Sequence, residues 1–116
     1  MISVAASLAI KNELDYLWYA AHSGDHEIYP DCRPEFITKM AEVLSICDYH
    51  KINFEAPFQD LSKAEIIKVG LDMNLDYSKA WTCYEGKEKP CGKCSACLER
   101  AASFQANQVN DPLDEL

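Results

Sequence analysis

Apolar positions recur along this chain first at helical and then at strand spacing, and each change of rhythm marks an element. Residues 2–13 carry small and branched apolar side chains on nearly every face, Val4, Ala5, Leu8 and Ala9 among them, which predicts a helix packed on more than one side. No capping residue or polar lead-in precedes it, so its natural start is expected upstream of Met1. Residues 16–21, Tyr-Leu-Trp-Tyr-Ala-Ala, form an unbroken apolar run, the pattern of an interior parallel strand. A polar stretch follows, holding His22, Ser23, Asp25 and His26. In open α/β sheets ligands bind beyond the carboxyl ends of strands, so these residues are either ligand contacts or ordinary loop residues satisfying local hydrogen bonds.

The turn from Tyr29 to Glu35 is compressed by Pro30 and Pro34 and leads into a helix to about residue 48, with Glu35 in its first turn. Phe36, Met40, Val43, Leu44 and Cys47 fall on one predicted apolar face, which makes Cys47 a small core residue rather than a ligand. Asp31, Arg33 and Glu35 read either as a structural ion-pair cluster or as a polar clamp for a ligand's hydrogen-bonding edge. Residues 52–56 alternate as a second strand, so strand, helix and strand make a βαβ unit. The next helix opens on a capping box, Ser62 with Glu65, and runs to about Met73. Lys63 in its first turn is either an exposed helix lysine or a positive charge at a helix N-terminus suited to an anion. Residues 76–82 are a predicted loop, with Trp81 expected to pack under the cysteine-rich segment beyond it. After that segment, Leu98, Ala101, Ala102 and Gln105 outline a short docking helix, and 110–116 an acidic, loose tail.

The cysteine-rich segment changes the picture most. Cys83, Cys91, Cys94 and Cys97 are separated by seven, two and two residues. Two-residue gaps let a turn aim both thiolates at one ion, and the longer gap, with Gly86 and Pro90, returns Cys83 as a fourth vertex. Four thiolates suit tetrahedral zinc. A ferredoxin-type cluster would want its next ligand three residues on, where Ala101 and its neighbours offer none. A thioredoxin-type redox pair usually follows a strand, and Lys89-Pro90 is not one. Disulfide stapling is not needed by a chain that is 48% hydrophobic.

At 116 residues the chain is at most one domain, short for a complete nucleotide enzyme. Its formal charge of −8 argues against direct nucleic-acid binding, although Lys87, Lys89 and Lys93 cluster near the cysteines. The apolar start is too short to span a bilayer and lacks a basic lead-in, so neither a membrane span nor a signal peptide is expected, and reduced thiols imply the cytoplasm.

Taken together, Ser23-Gly-Asp-His26, Tyr29-Pro-Asp-Cys-Arg-Pro-Glu-Phe36, Leu61-Ser-Lys-Ala-Glu-Ile66 and the 83–100 block resemble the C-terminal part of the 7-cyano-7-deazaguanine synthases, queuosine-pathway enzymes of the PP-loop ATPase superfamily. The likeness runs from about Ser3 to Pro112. It implies an α/β fold, a partial Rossmann-like parallel sheet of the PP-loop kind with a C-terminal four-cysteine zinc knuckle and helix. The expected divisions are 1–78 for the α/β part, 79–110 for the knuckle and its helix, and 111–116 for the acidic tail. The implied activity joins 7-carboxy-7-deazaguanine, ammonia and ATP, with Mg2+, to give the 7-cyano product through adenylated intermediates. By position, the resemblance gives zinc to Cys83, Cys91, Cys94 and Cys97, catalytic roles to Lys63 near the ATP phosphates and to Asp25, and substrate contacts to Asp31, Arg33 and Glu35. The family's Ser-Gly-Gly-x-Asp-Ser loop has no counterpart here, since Ser23-Gly24-Asp25 is followed by His26. A truncated, split or separately made half is therefore expected, inactive alone and pairing with an N-terminal PP-loop half or with itself. The competing class is a non-catalytic zinc module or an inactive remnant.

Overall fold

The computed structural model describes residues 1–113. It divides into two compact units, Met1–Asp60 and a second from Leu61 onward, whereas the sequence places its main division at 78. The earlier division follows from packing: α3 (Lys63–Asp72) lies against α4 (Ser95–Ala106) and so belongs with the cysteine segment.

In the first unit, α1 (Ile2–Lys11) precedes β1 (Tyr16–Trp18), and α2 (Pro34–Leu44) precedes β2 (Asn53–Glu55). The strands pair in parallel with Leu17 opposite Phe54, and the Tyr19 N–H continues the ladder to the Glu55 carbonyl at 2.8 Å. Phe54 enters the core with Ile37, Leu44 and Ile52. The α/β class and the parallel sheet are as expected; three differences have physical causes. First, α1 buries only its alanine face, Ala6 and Ala9, while Val4 and Leu8 are exposed. Second, β1 is three residues long and covered on one face only: Leu17 and Tyr19 pack against the core, so Tyr16 and Trp18, which alternate with them, are exposed.

Third, α2 stops at Leu44, where the Ser45 hydroxyl turns back to the Glu42 carbonyl and the Cys47 thiol to the Leu44 carbonyl. Its inward face is Phe36, Ile37, Met40, Ala41 and Leu44, so Phe36, Met40 and Leu44 pack as expected; Val43 and Cys47 are exposed, and Cys47 is not a core residue.

In the second unit the Ser62 capping box forms as read, with the Glu65 N–H donating to Ser62 Oγ and the Ser62 N–H to Glu65 Oε2. The buried side of α4 is Cys97, Arg100, Ser103 and Phe104, whereas Leu98, Ala101, Ala102 and Gln105 face outward. The thiol of Cys97 fixes the rotation of the helix, and positions three, six and seven residues later follow it inward. Asp111 and Leu113 are buried, so this part of the expected loose tail is seated; 114–116 lie outside the described residues. No helix among the described residues is long and apolar enough to cross a membrane.

Candidate functional site

The thiol cluster is assembled by turns that the sequence requires to be tight. Gly92 has φ +69, a backbone region that favours glycine, and sits between Cys91 and Cys94. At Gly86 a Cβ would come within 2.3 Å of the Lys89 carbonyl oxygen and 3.0 Å of Cys83 Sγ. The bare backbone instead lets the Gly86 N–H donate to that sulfur at 3.0 Å, and the Cys91 N–H joins it at 3.3 Å. The Cys94 N–H donates to Cys91 Sγ at 3.3 Å, and Cys94 itself caps α4. Trp81 does not lie beneath the knuckle as a buried ring; it is half-exposed and donates its Nε1–H to the Cys83 carbonyl at 2.9 Å.

All four Sγ atoms lie within 4.8 Å of one another, with Cys91 to Cys97 and Cys94 to Cys83 each at 4.0 Å. A tetrahedral ion with Zn–S bonds of about 2.3 Å needs sulfurs about 3.8 Å apart. All six cysteines are free thiols. The Cys91 N–H, with help from other backbone donors, draws the Cys83 thiol down to about 6, and burial pushes Cys97 up to about 12. The donor set, spacing and N–H···S contacts fit a metal ion, and four sulfurs suit zinc.

His22 and Asp25 beyond β1 hold each other, and Asp31, Arg33 and Glu35 each have a different partner. His22 Nδ1 accepts the Gly24 N–H at 3.1 Å, which leaves its Nε2–H for Asp25 Oδ2, also at 3.1 Å. Asp31 accepts from the Tyr19 hydroxyl at 3.3 Å, Arg33 Nε donates to the His26 carbonyl at 2.8 Å, and Glu35 faces Lys39 one turn along α2 at 3.7 Å. The ion-pair cluster among Asp31, Arg33 and Glu35 therefore does not form; Arg33 braces the turn that presents the two carboxylates. Lys63 Nζ is bonded to Glu99 of α4.

Sequence reasoning missed Glu99, Tyr19 and Gln59. Tyr19 packs on Phe54 and its hydroxyl is pushed up to about 12 by burial, with Cys32 and Asp31 adding to it. Two buried polar atoms, His26 Nε2 and Gln59 Oε1, have no hydrogen-bond partner among the described residues. His26 follows β1 and Gln59 follows β2, the strand ends where a ligand is expected. No spacing rule marks Gln59.

A family model described as queuosine biosynthesis protein QueC matches residues 1–108. The chain belongs to the QueC family. It is 48% identical over 114 residues to a 7-cyano-7-deazaguanine synthase of Pseudoalteromonas atlantica, a match covering 98% of this chain and 52% of that relative. A synthase of the same name from Marinomonas sp. is 50% identical over 114 residues, covering 98% and 52%. Another, from Caldicellulosiruptor saccharolyticus, is 47% identical over 113 residues, covering 97% and 50%. The chain thus spans about half the length of the curated relatives it matches, and corresponds to their C-terminal part. QueC membership bears out the resemblance drawn from the motifs.

Proposed function

We propose that this chain supplies the zinc-bearing and substrate-binding half of an enzyme that converts 7-carboxy-7-deazaguanine, ammonia and ATP into 7-cyano-7-deazaguanine. The match to the queuosine family over residues 1–108 carries this reading. A carboxylate is a poor electrophile because its leaving group would be oxide. Attack of the carboxylate on ATP releases pyrophosphate and gives an acyl adenylate; ammonia then displaces AMP to form the amide. A second adenylation, at the amide oxygen, again releases pyrophosphate, and loss of AMP and protons leaves the nitrile. The protein's part is to orient the reactants and stabilise developing charge.

In this reading the ligand lies beyond the ends of β1 and β2. Asp31, Arg33 and Glu35 line the deazaguanine, and the unpartnered His26 Nε2 and Gln59 Oε1 supply further hydrogen-bonding capacity. Asp25, fixed by His22, has the catalytic carboxylate role. Lys63 exchanges Glu99 for the phosphates of Mg2+-bound ATP at the N-terminus of α3. Zinc fills the Cys83, Cys91, Cys94 and Cys97 site, where four thiolates leave no position for water, so its chemistry is to hold the chain. Free thiols suit a reducing cytoplasm.

The small sheet is read as part of a larger Rossmann-like PP-loop sheet. The partner is an N-terminal PP-loop half, docked on the free edge of β1 and the adjoining apolar groove of about 470 Å³ lined by Val4, Leu8, Leu17 and Trp18. Mixing this chain with a separately made PP-loop half tests the reading. Nitrile and AMP are expected from the mixture and from neither half alone, with Lys63→Ala losing turnover and keeping its zinc. A mixture that forms a complex yet releases no AMP would overturn it and leave a zinc-binding module.

A further inference from the structure

Arg100 lies three residues beyond Cys97 on the buried face of α4, and all three of its guanidinium nitrogens donate hydrogen bonds. Nε and Nη2 hold both carboxylate oxygens of Asp111, with Nη2 to Oδ1 at 2.7 Å. Nη1 donates to the Ala80 carbonyl and Nη2 also to the Tyr77 carbonyl, at 3.1 Å. The ring of Phe104 covers the group, its centroid 5.2 Å from Cζ. Ala80 and Tyr77 belong to the segment that leads into Cys83. One side chain therefore ties together the arm entering the thiol site, the helix leaving it, and the segment at 111–113.

The four ligands do not stand equally in need of such a tie. Cys91, Cys94 and Cys97 are kept near one another by two-residue gaps, whereas Cys83 lies across a seven-residue gap and has more chain entropy to lose. A clamp on residues 77–80 limits where Cys83 can go before any ion arrives, and that pre-organisation appears as affinity. The clamp needs Asp111, because a buried guanidinium satisfied only by carbonyls would carry an uncompensated charge. Asp111 is itself fixed by its Oδ1, which accepts the Leu113 N–H at 3.0 Å, with Leu113 buried.

We propose that Arg100 is the positioning residue of the thiol site, through which metal uptake and the seating of 111–113 are coupled. The coupling rests on the metal reading given above and is reciprocal: whatever seating contributes to metal binding, the metal returns to seating.

The test uses the whole chain and zinc alone, titrated against a competing chromophoric chelator, together with amide exchange. Asp111→Asn is expected to weaken zinc binding about tenfold, in the range found when groups supporting metal ligands are removed. Asn107→Ala is the control: it cuts a tie from α4 to the Ala64 carbonyl that does not reach the Cys83 arm, and should leave zinc affinity as it was. In the unaltered chain, zinc should slow exchange at 109–113, a readout that stands even where Asp111→Asn fails to fold. Zinc bound normally with exchange at 109–113 unchanged overturns the coupling alone. Equal loss of affinity in Asp111→Asn and Asn107→Ala also overturns it, because general destabilisation would then suffice. A chain that takes up no zinc overturns the metal reading as well.

Discussion

The two units of this chain bury different kinds of side chain. In Met1–Asp60 the interior is mainly apolar, built on Ile37, Leu44, Ile52 and Phe54 around a short parallel sheet. From Leu61 onward the buried set mixes Ile67, Phe104 and Leu113 with Arg100, Ser103, Asp111 and the thiols of Cys83 and Cys97. A unit so short has little apolar surface to remove from water, and chains of such size usually enlist a metal or another cross-link. The buried polar groups of the second unit are its fasteners, and the first unit's polar groups gather at its strand ends, where a ligand would use them.

The largest effect should come from taking away metal. Structural zinc sites contribute about 10 kcal/mol or more, beyond what a small core can replace. Chelation should therefore speed exchange in the second unit, most of all at the thiol segment 83–97, while the protection of Ile52 and Phe54 persists. Thiol labelling gives a second readout. In the loaded protein Cys47 alone is expected to react quickly, since it is exposed and Cys32 is buried, with burial pushing its thiol up. After chelation the four cluster thiols should join it. Persistent protection of those four in chelator would break the contrast between the units.

Phe54→Ala is the matching change for the first unit. The ring is 6% exposed, sits opposite Leu17 and stacks on Tyr19 at 5.8 Å. Its loss should cost about 3–5 kcal/mol, read as a lower denaturant midpoint for residues 1–60. An effect near 1 kcal/mol would mean that the open groove beside α1 lets the site collapse, and that apolar packing matters less here than the comparison holds.

The sequence carried the features set by short spacing. The Ser62–Glu65 capping box, the two strands and the ligand cluster each depend on residues close enough for a local rule to apply. What it hid depends on where a helix stops or how it is rotated. Phe36, Met40 and Leu44 of α2 pack inward as expected, but Cys47 does not, because Ser45 and Cys47 close the helix with their own side chains before the face reaches that position. The face of α4 was misjudged because a helical arginine reads as surface until its partner, Asp111, is known. The expected acidic tail was wrong at 111–113 for the same reason. Candidate site residues Asp25, Asp31, Arg33 and Glu35 were visible as a polar cluster, but their separate partners were not.

The smallest effect at neutral pH sharpens the contrast at the strand ends. Burial pushes the Tyr19 hydroxyl up to about 12, and the neighbouring Cys32 and Asp31 work in the same direction. A phenol raised above its unfolded value of about 10 favours the folded state fully below that pH. Between about 10 and 12 the unfolded chain can ionise where the folded one resists, so this contribution falls as pH rises through that window. Tyrosinate absorbance should therefore show a component near 12 that is missing in Tyr19→Phe. Because the bond that Tyr19→Phe removes, to Asp31, is exposed and 3.3 Å long, little change in stability at pH 7 should accompany the lost component. A Tyr19 that titrates near 10 would mean that water reaches the end of β1 and that the hydroxyl does not hold the Asp31 carboxylate in place.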